Sequence, residues 1–166
     1  MCVRPLAVAA FALLFLGAPV AVRSEDTSYL WNSLKGVRAV KIVVESIPPE
    51  IEQAGLTTSQ LRADVQLRLQ QSSIHVDEGA VTSALYVNVN AILNQESLLY
   101  AYGARVEFMQ PVVVKRIALT TGGTTWSAGT IGFADRDKLS SSARQAVGDL
   151  TDEFVNAFLS ANPKLQ

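Results

Sequence analysis

The chain has 166 residues, 49% of them hydrophobic and 17% charged, with 14 Lys+Arg against 15 Asp+Glu and a formal net charge of −1. That length suits one domain, and 10 Gly, 6 Pro and a single Cys exclude collagen, low-complexity disorder and a disulfide scaffold. The even charge balance speaks against a nucleic-acid binder, which needs a basic face, so no nucleic acid is expected as a partner.

Residues 1–24 read as a secretory signal peptide. Arg4 supplies the positive start, and Leu6 to Val22 form a 17-residue apolar run broken only by Gly17 and Pro19. Val22 and Ser24 occupy the −3 and −1 positions of a cleavage site after Ser24. The alternative is a retained anchor. A membrane span needs about 20 apolar residues, however, and this run is shorter and carries Pro19. Cleavage removes Arg4 and Arg23, leaving 12 bases against 15 acids, a mature net charge of −3. It also removes Cys2, so no disulfide is expected in the mature chain, even in an oxidising compartment. Cys2 lies ahead of the apolar run rather than at the cleavage site. No lipid anchor, and no stable membrane anchor after cleavage, is therefore expected, which predicts a periplasmic or secreted protein.

Residues 25–36 form a polar lead-in, and residues 37–166 form one α+β domain. Val37 to Ile47 is rich in β-branched residues and predicts a strand that Pro48 and Pro49 end. Thr57 and Gln60 fit a capping box, and Leu61, Val65 and Leu69 then mark one helical face. Arg62, Asp64, Gln66 and Arg68 fall on the wetter side, and Ser72 and Ser73 mark the end. Ala84 to Leu93 alternates, with Leu85, Val87, Val89 and Ala91 on one face and Tyr86, Asn88, Asn90 and Ile92 on the other. Asn94 to Ser97 reads as a turn. Leu99 to Phe108 alternates again: Tyr100, Tyr102, Ala104, Val106 and Phe108 oppose Arg105 and Glu107. Pro111 predicts a bend or bulge before Val112 to Leu119. Gly122-Gly123 predicts a tight hairpin turn, with Thr124 to Ala134 returning. Leu139, Ala143, Ala146, Val147, Leu150, Phe154, Phe158 and Leu159 recur at helical spacing, framed by Ser140 to Ser142 and Pro163.

The order β-α-β-β-β-α predicts a two-layer sandwich. Its four-stranded sheet is mixed but mostly antiparallel, with the first two strands parallel and two helices on one face. The other face is left to solvent or a partner.

The chain shows no assembled catalytic motif. His75, the only histidine, stands near Asp77 and Glu78 in what reads as an exposed loop, and a zinc site needs three or four placed ligands. Ser127 lacks the Gly-x-Ser-x-Gly setting. Asp135 and Asp137 alternate with Arg136 and Lys138, as Asp149, Asp152 and Glu153 do with their helix face, and both groups read as solvated charge. The Thr-flanked Gly122-Gly123 lacks the phosphate-binding spacing. No catalytic residue, metal or cofactor is expected.

The least ordinary feature is the outer sheet face, on which parity places Tyr86, Asn88, Asn90, Arg105 and Glu107. Trp126, opposite in parity to Ile131 and Phe133, joins that face unless a bulge returns it to the core; both remain open. An exposed aromatic beside Ala128, Thr130 and Gly132 would make a docking patch.

The element order, with Leu56-Thr57-Thr58-Ser59-Gln60-Leu61 opening the first helix, resembles small uncharacterised exported α+β proteins of the bacterial envelope. More distantly it is similar to the lipopolysaccharide-assembly lipoprotein that plugs an outer-membrane barrel and to auxiliary lipoproteins of envelope transporters. The resemblance covers most of residues 37–161 as element order, and no site residue is carried over from it. The export signal together with the absence of a catalytic constellation predicts an exported, non-enzymatic accessory or binding protein of the bacterial envelope that meets an envelope protein through its open sheet face. Two alternatives stand beside it: a small periplasmic hydrolase using a carboxylate site such as Asp135 and Asp137, and a carrier holding a small apolar ligand near Val106, Phe154 and Phe158.

Overall fold

The computed structural model describes residues 31–79 and 82–163. The segment read as a signal peptide and the first part of the lead-in lie outside the described residues. The elements are β1 (Lys41–Val44), the short helix α1 (Pro49–Glu52), α2 (Thr58–Gln71), β2 (Ala84–Asn94), β3 (Leu99–Val114), a 3₁₀ turn (Lys115–Ile117), β4 (Leu119–Ala134) and α3 (Arg136–Ala161). The strands form one sheet in the order β1-β2-β3-β4. β1 and β2 run parallel, with Ile42 beside Leu85, and the other pairs are antiparallel. This is the expected α+β sandwich, with α1 added at Pro48 and Pro49, beyond the end of β1 at Val44. Proline at the start of a helix lacks only a donor that has no partner there in any case.

Local signals explain most element ends. Thr57 Oγ1 accepts from Gln60 N at 3.2 Å and Gln60 Oε1 accepts from Thr57 N at 2.9 Å, the two halves of the capping box. The Asn94 side chain accepts from the backbone of Glu96 and Ser97, closing the β2–β3 turn. β1 is shorter than predicted because only Lys41–Val44 meets β2; Val40 bridges Val76 instead.

Two expectations fail in the second half of the sheet. Gly122-Gly123 is not a turn. It pairs with Pro111 and Gln110 inside the ladder, and the chain reverses at Lys115–Ile117 with Ala118 in the left-handed region (φ 50°). Gly123 is needed for space rather than for φ, because a Cβ there would stand 2.8 Å from Val112 Cγ2. Pro111 is tolerated because β2 ends opposite Met109, so its missing donor breaks no bond on that side. The irregularity expected near Pro111 lies just before it. Phe108 faces Trp126 and Met109 faces Thr124, which leaves Thr125 as the extra residue of a bulge.

The core is one cluster between the sheet and the helices. Leu61, Val65 and Leu69 of α2 and Leu139, Ala143, Val147, Leu150, Phe154 and Phe158 of α3 are buried against Ile42, Leu85, Val87, Val106 and Phe108. Phe154 is its centre, with ring centroids 5.5 Å from Phe108, 5.3 Å from Trp126 and 6.0 Å from Phe158. The lead-in joins this core through Leu34, while Asn162 accepts from Gly36 N at 2.8 Å and donates to Leu34 O at 3.0 Å. α2 and α3 are tied by Arg144, whose guanidinium donates twice to Asp64 at 2.7 and 2.9 Å, and by the Arg68–Asp152 ion pair. The wetter side of α2 is thus partly its seam with α3.

Candidate outer-face site

β2 carries Tyr86, Asn88, Asn90 and Ile92 on the face away from the helices, because Leu85, Val87 and Val89 between them are buried. The register sets Tyr86 beside Glu107, Asn88 beside Arg105 and Asn90 beside Gly103. These five predicted residues therefore meet in one place. Trp126 does not join them. Trp126 pairs with the buried Phe108, its ring meets Phe154 on the core face, and it is only 6% exposed. Pairing with the buried Phe108 decides the open question in favour of the core, while Trp126 keeps its expected opposite parity to Ile131 and Phe133.

With Trp126 inward, the same alternation exposes the two residues expected against the core. Ile131 is 79% and Phe133 73% exposed on the outer face, and Ile92 is 77% exposed beside them. Their cross-strand neighbours are small: Ile131 faces Gly103, and Ala101 lies between Ile92 and Phe133. The core face of β4 carries instead Ala128, Thr130, Gly132 and Ala134. Gly132 is required there because a Cβ would collide with the Tyr102 ring. Small residues on that face leave room for α3, so the large apolar residues of β4 turn outward.

The polar half of the face is internally bonded. Asn90 Nδ2 donates to Asn88 Oδ1 at 2.8 Å, and Asn88 donates in turn to the carboxylate of Glu45, which follows β1. Arg105 and Glu107 stand 3.9 Å apart on one strand. Glu45 also accepts from the Tyr86 phenol; that bond, some burial and the charges of Glu45 and Glu107 raise the phenol's pKa above its ordinary value. A polar network that is already satisfied borders an apolar patch that has no cover among the described residues.

The other candidates do not converge. His75 is exposed in its loop, where its carbonyl accepts from Val40 N at 2.9 Å. Among the described residues no three His, Cys, Asp or Glu side chains stand close enough to hold a metal ion. Asp135 is the N-cap residue of α3, 3.9 Å from Lys138, and both Asp135 and Asp137 are exposed at the helix start. Ser127 is an exposed outer-face residue of β4 opposite Glu107. The space a carried apolar ligand would need between Val106 and Phe154 is filled by the Phe108, Trp126 and Phe154 rings, and Phe158 alone of the three borders an open pocket, with Val37 and Ile74.

No family model and no curated protein matches the chain. Solved structures similar in arrangement include a minor lipoprotein from Acinetobacter baumannii, 13% identical with a TM-score of 0.41 over 74% of this chain and 91% of that one. A candidate lipoprotein from Caulobacter crescentus CB15 is 12% identical, with a TM-score of 0.35 over 84% of this chain and 97% of that one.

Proposed function

We propose that this chain is an exported, non-enzymatic accessory or binding protein of the bacterial cell envelope, and that its outer sheet face docks an envelope protein. One observation carries the reading: Ile92, Ile131 and Phe133 stand together in solvent on a sheet whose opposite face holds the whole core. Single exposed apolar residues are ordinary, but a contiguous group beside a bonded polar rim has the anatomy of a protein interface. The export signal of residues 1–24 supports the compartment.

Capture from envelope extract tests it. The wild-type chain should retain a defined protein. Ile131→Thr with Phe133→Thr should lose it, and Leu67→Thr, on the exposed side of α2, should keep it. Capture indifferent to the outer-face changes would refute the reading. Trp126→Ala is not the diagnostic change, since it strikes the core.

A further inference from the structure

We propose that two copies of this chain join edge to edge through β4, in antiparallel register about a twofold axis at Thr130, to form one continuous eight-stranded sheet. This goes beyond the docking reading and leaves the outer face of both copies open.

The argument begins with what β4 lacks. It is an edge strand of sixteen residues, and its sequence LTTGGTTWSAGTIGFA contains no charge and no proline. Edge strands ordinarily carry such residues because their free N–H and C=O groups template pairing with other chains. The opposite edge is guarded: β1 is four residues long, begins with Lys41 and is followed by Glu45. Past the bulge, Trp126–Ala134 pairs regularly with β3 and extends about 30 Å at ~3.4 Å per residue. Among the described residues no backbone group of this stretch bonds outside the sheet ladder. The groove between β4 and α3, lined by Tyr102, Thr130, Gln145, Asp149 and Glu153, is open.

Size complementarity identifies the occupant as a second copy. Centring the antiparallel pair on Thr130 sets Trp126 opposite the partner copy's Ala134, Ser127 opposite its Phe133, Ala128 opposite its Gly132 and Gly129 opposite its Ile131. The threonines meet at the axis, where a cross-strand Thr–Thr pair is favourable. Every large side chain meets a small one on the same face, and neither paired strand carries a charge. Pairing β4 with the partner copy's β1 would match sixteen residues to four and would grow an open filament. The twofold pairing closes.

Sedimentation of the purified full chain tests this. Wild type should be dimeric. Thr130→Lys and Thr130→Glu, each setting like charges face to face at the axis, should weaken the dimer by about tenfold or more, and an equimolar mixture of the two should restore it. Circular dichroism melts report whether each variant is folded. If either is not, Thr130→Cys in a Cys2→Ser background should be joined across the axis by a short bismaleimide, with Ser97→Cys as the negative control. A wild type that stays monomeric to about 100 µM, a dimer indifferent to charge at Thr130, or an open-ended assembly would each overturn the proposal. The outer-face capture experiment is unaffected by any of these results.

Discussion

Phe154 shows how much one side chain carries in a core with no disulfide among the described residues. It touches Phe108 and Phe158 and packs edge-to-face with Trp126, which brings sheet and helix together at one ring. Phe154→Ala and Phe158→Ala should each cost about 3–5 kcal/mol in urea melts, as lost transfer energy plus a cavity. His75→Ala, in an exposed loop, should cost under about 0.5 kcal/mol. Helical spacing made the Phe154–Phe158 stripe legible in the sequence. Trp126 was not: its opposite parity to Ile131 and Phe133 is legible, but which of those two faces is the core is set by its pairing with Phe108, which the sequence does not show. Tyr86 offers a second test at this scale. Its raised pKa means the folded state favours the protonated phenol. The associated stability is fully present below the ordinary tyrosine pKa of about 10 and is lost as pH rises through the folded value. Ultraviolet titration, read as the difference between wild type and Tyr86→Phe, should place this phenol above a free tyrosine, and Glu45→Gln should lower it.

At the scale of elements, alternation was a sound guide wherever both faces of a strand differed in polarity. β2 and the first ten residues of β3 follow the predicted faces because Asn88, Asn90, Arg105 and Glu107 alternate with residues that must be buried. It failed for β4, where neither face carries charge and the glycines look like punctuation. The space around those glycines is tertiary information: the Val112 side chain against Gly123 and the Tyr102 ring against Gly132. The true reversal uses Ala118 at φ 50°, a conformation that costs a residue with a Cβ roughly 1–2 kcal/mol. Ala118→Gly should therefore stabilise the fold, by up to about 1 kcal/mol once glycine's greater unfolded freedom is set against it. Gly123→Ala should destabilise it by forcing Val112 aside. Thermal melts of the two variants should move in opposite directions. If the turn lay instead at Gly122-Gly123, where a type I′ turn needs positive φ, Ala118→Gly would be neutral or harmful.

For the whole molecule, the arrangement is asymmetric: one sheet face is covered by α2 and α3 and the other is bare. The helices supply enough apolar surface to close one side, and with large side chains turned inward on β2 and β3 the core face of β4 can be nearly all small. Ile131 and Phe133 are then left outside, where they contribute little to folding. That separation yields a prediction the core does not. Ile131→Thr and Phe133→Thr keep β-branched or strand-compatible side chains and remove surface that is already in water in the folded state, so each should change stability by less than about 0.5 kcal/mol. A residue selected for packing could not be replaced so freely, as the contrast with Phe154→Ala would show in the same melts. If either threonine variant instead cost several kcal/mol, that side chain would be buried in the native protein and the outer face would not be open. If both are neutral in dilute solution yet abolish capture of the envelope protein, the bare face is retained for association rather than for folding.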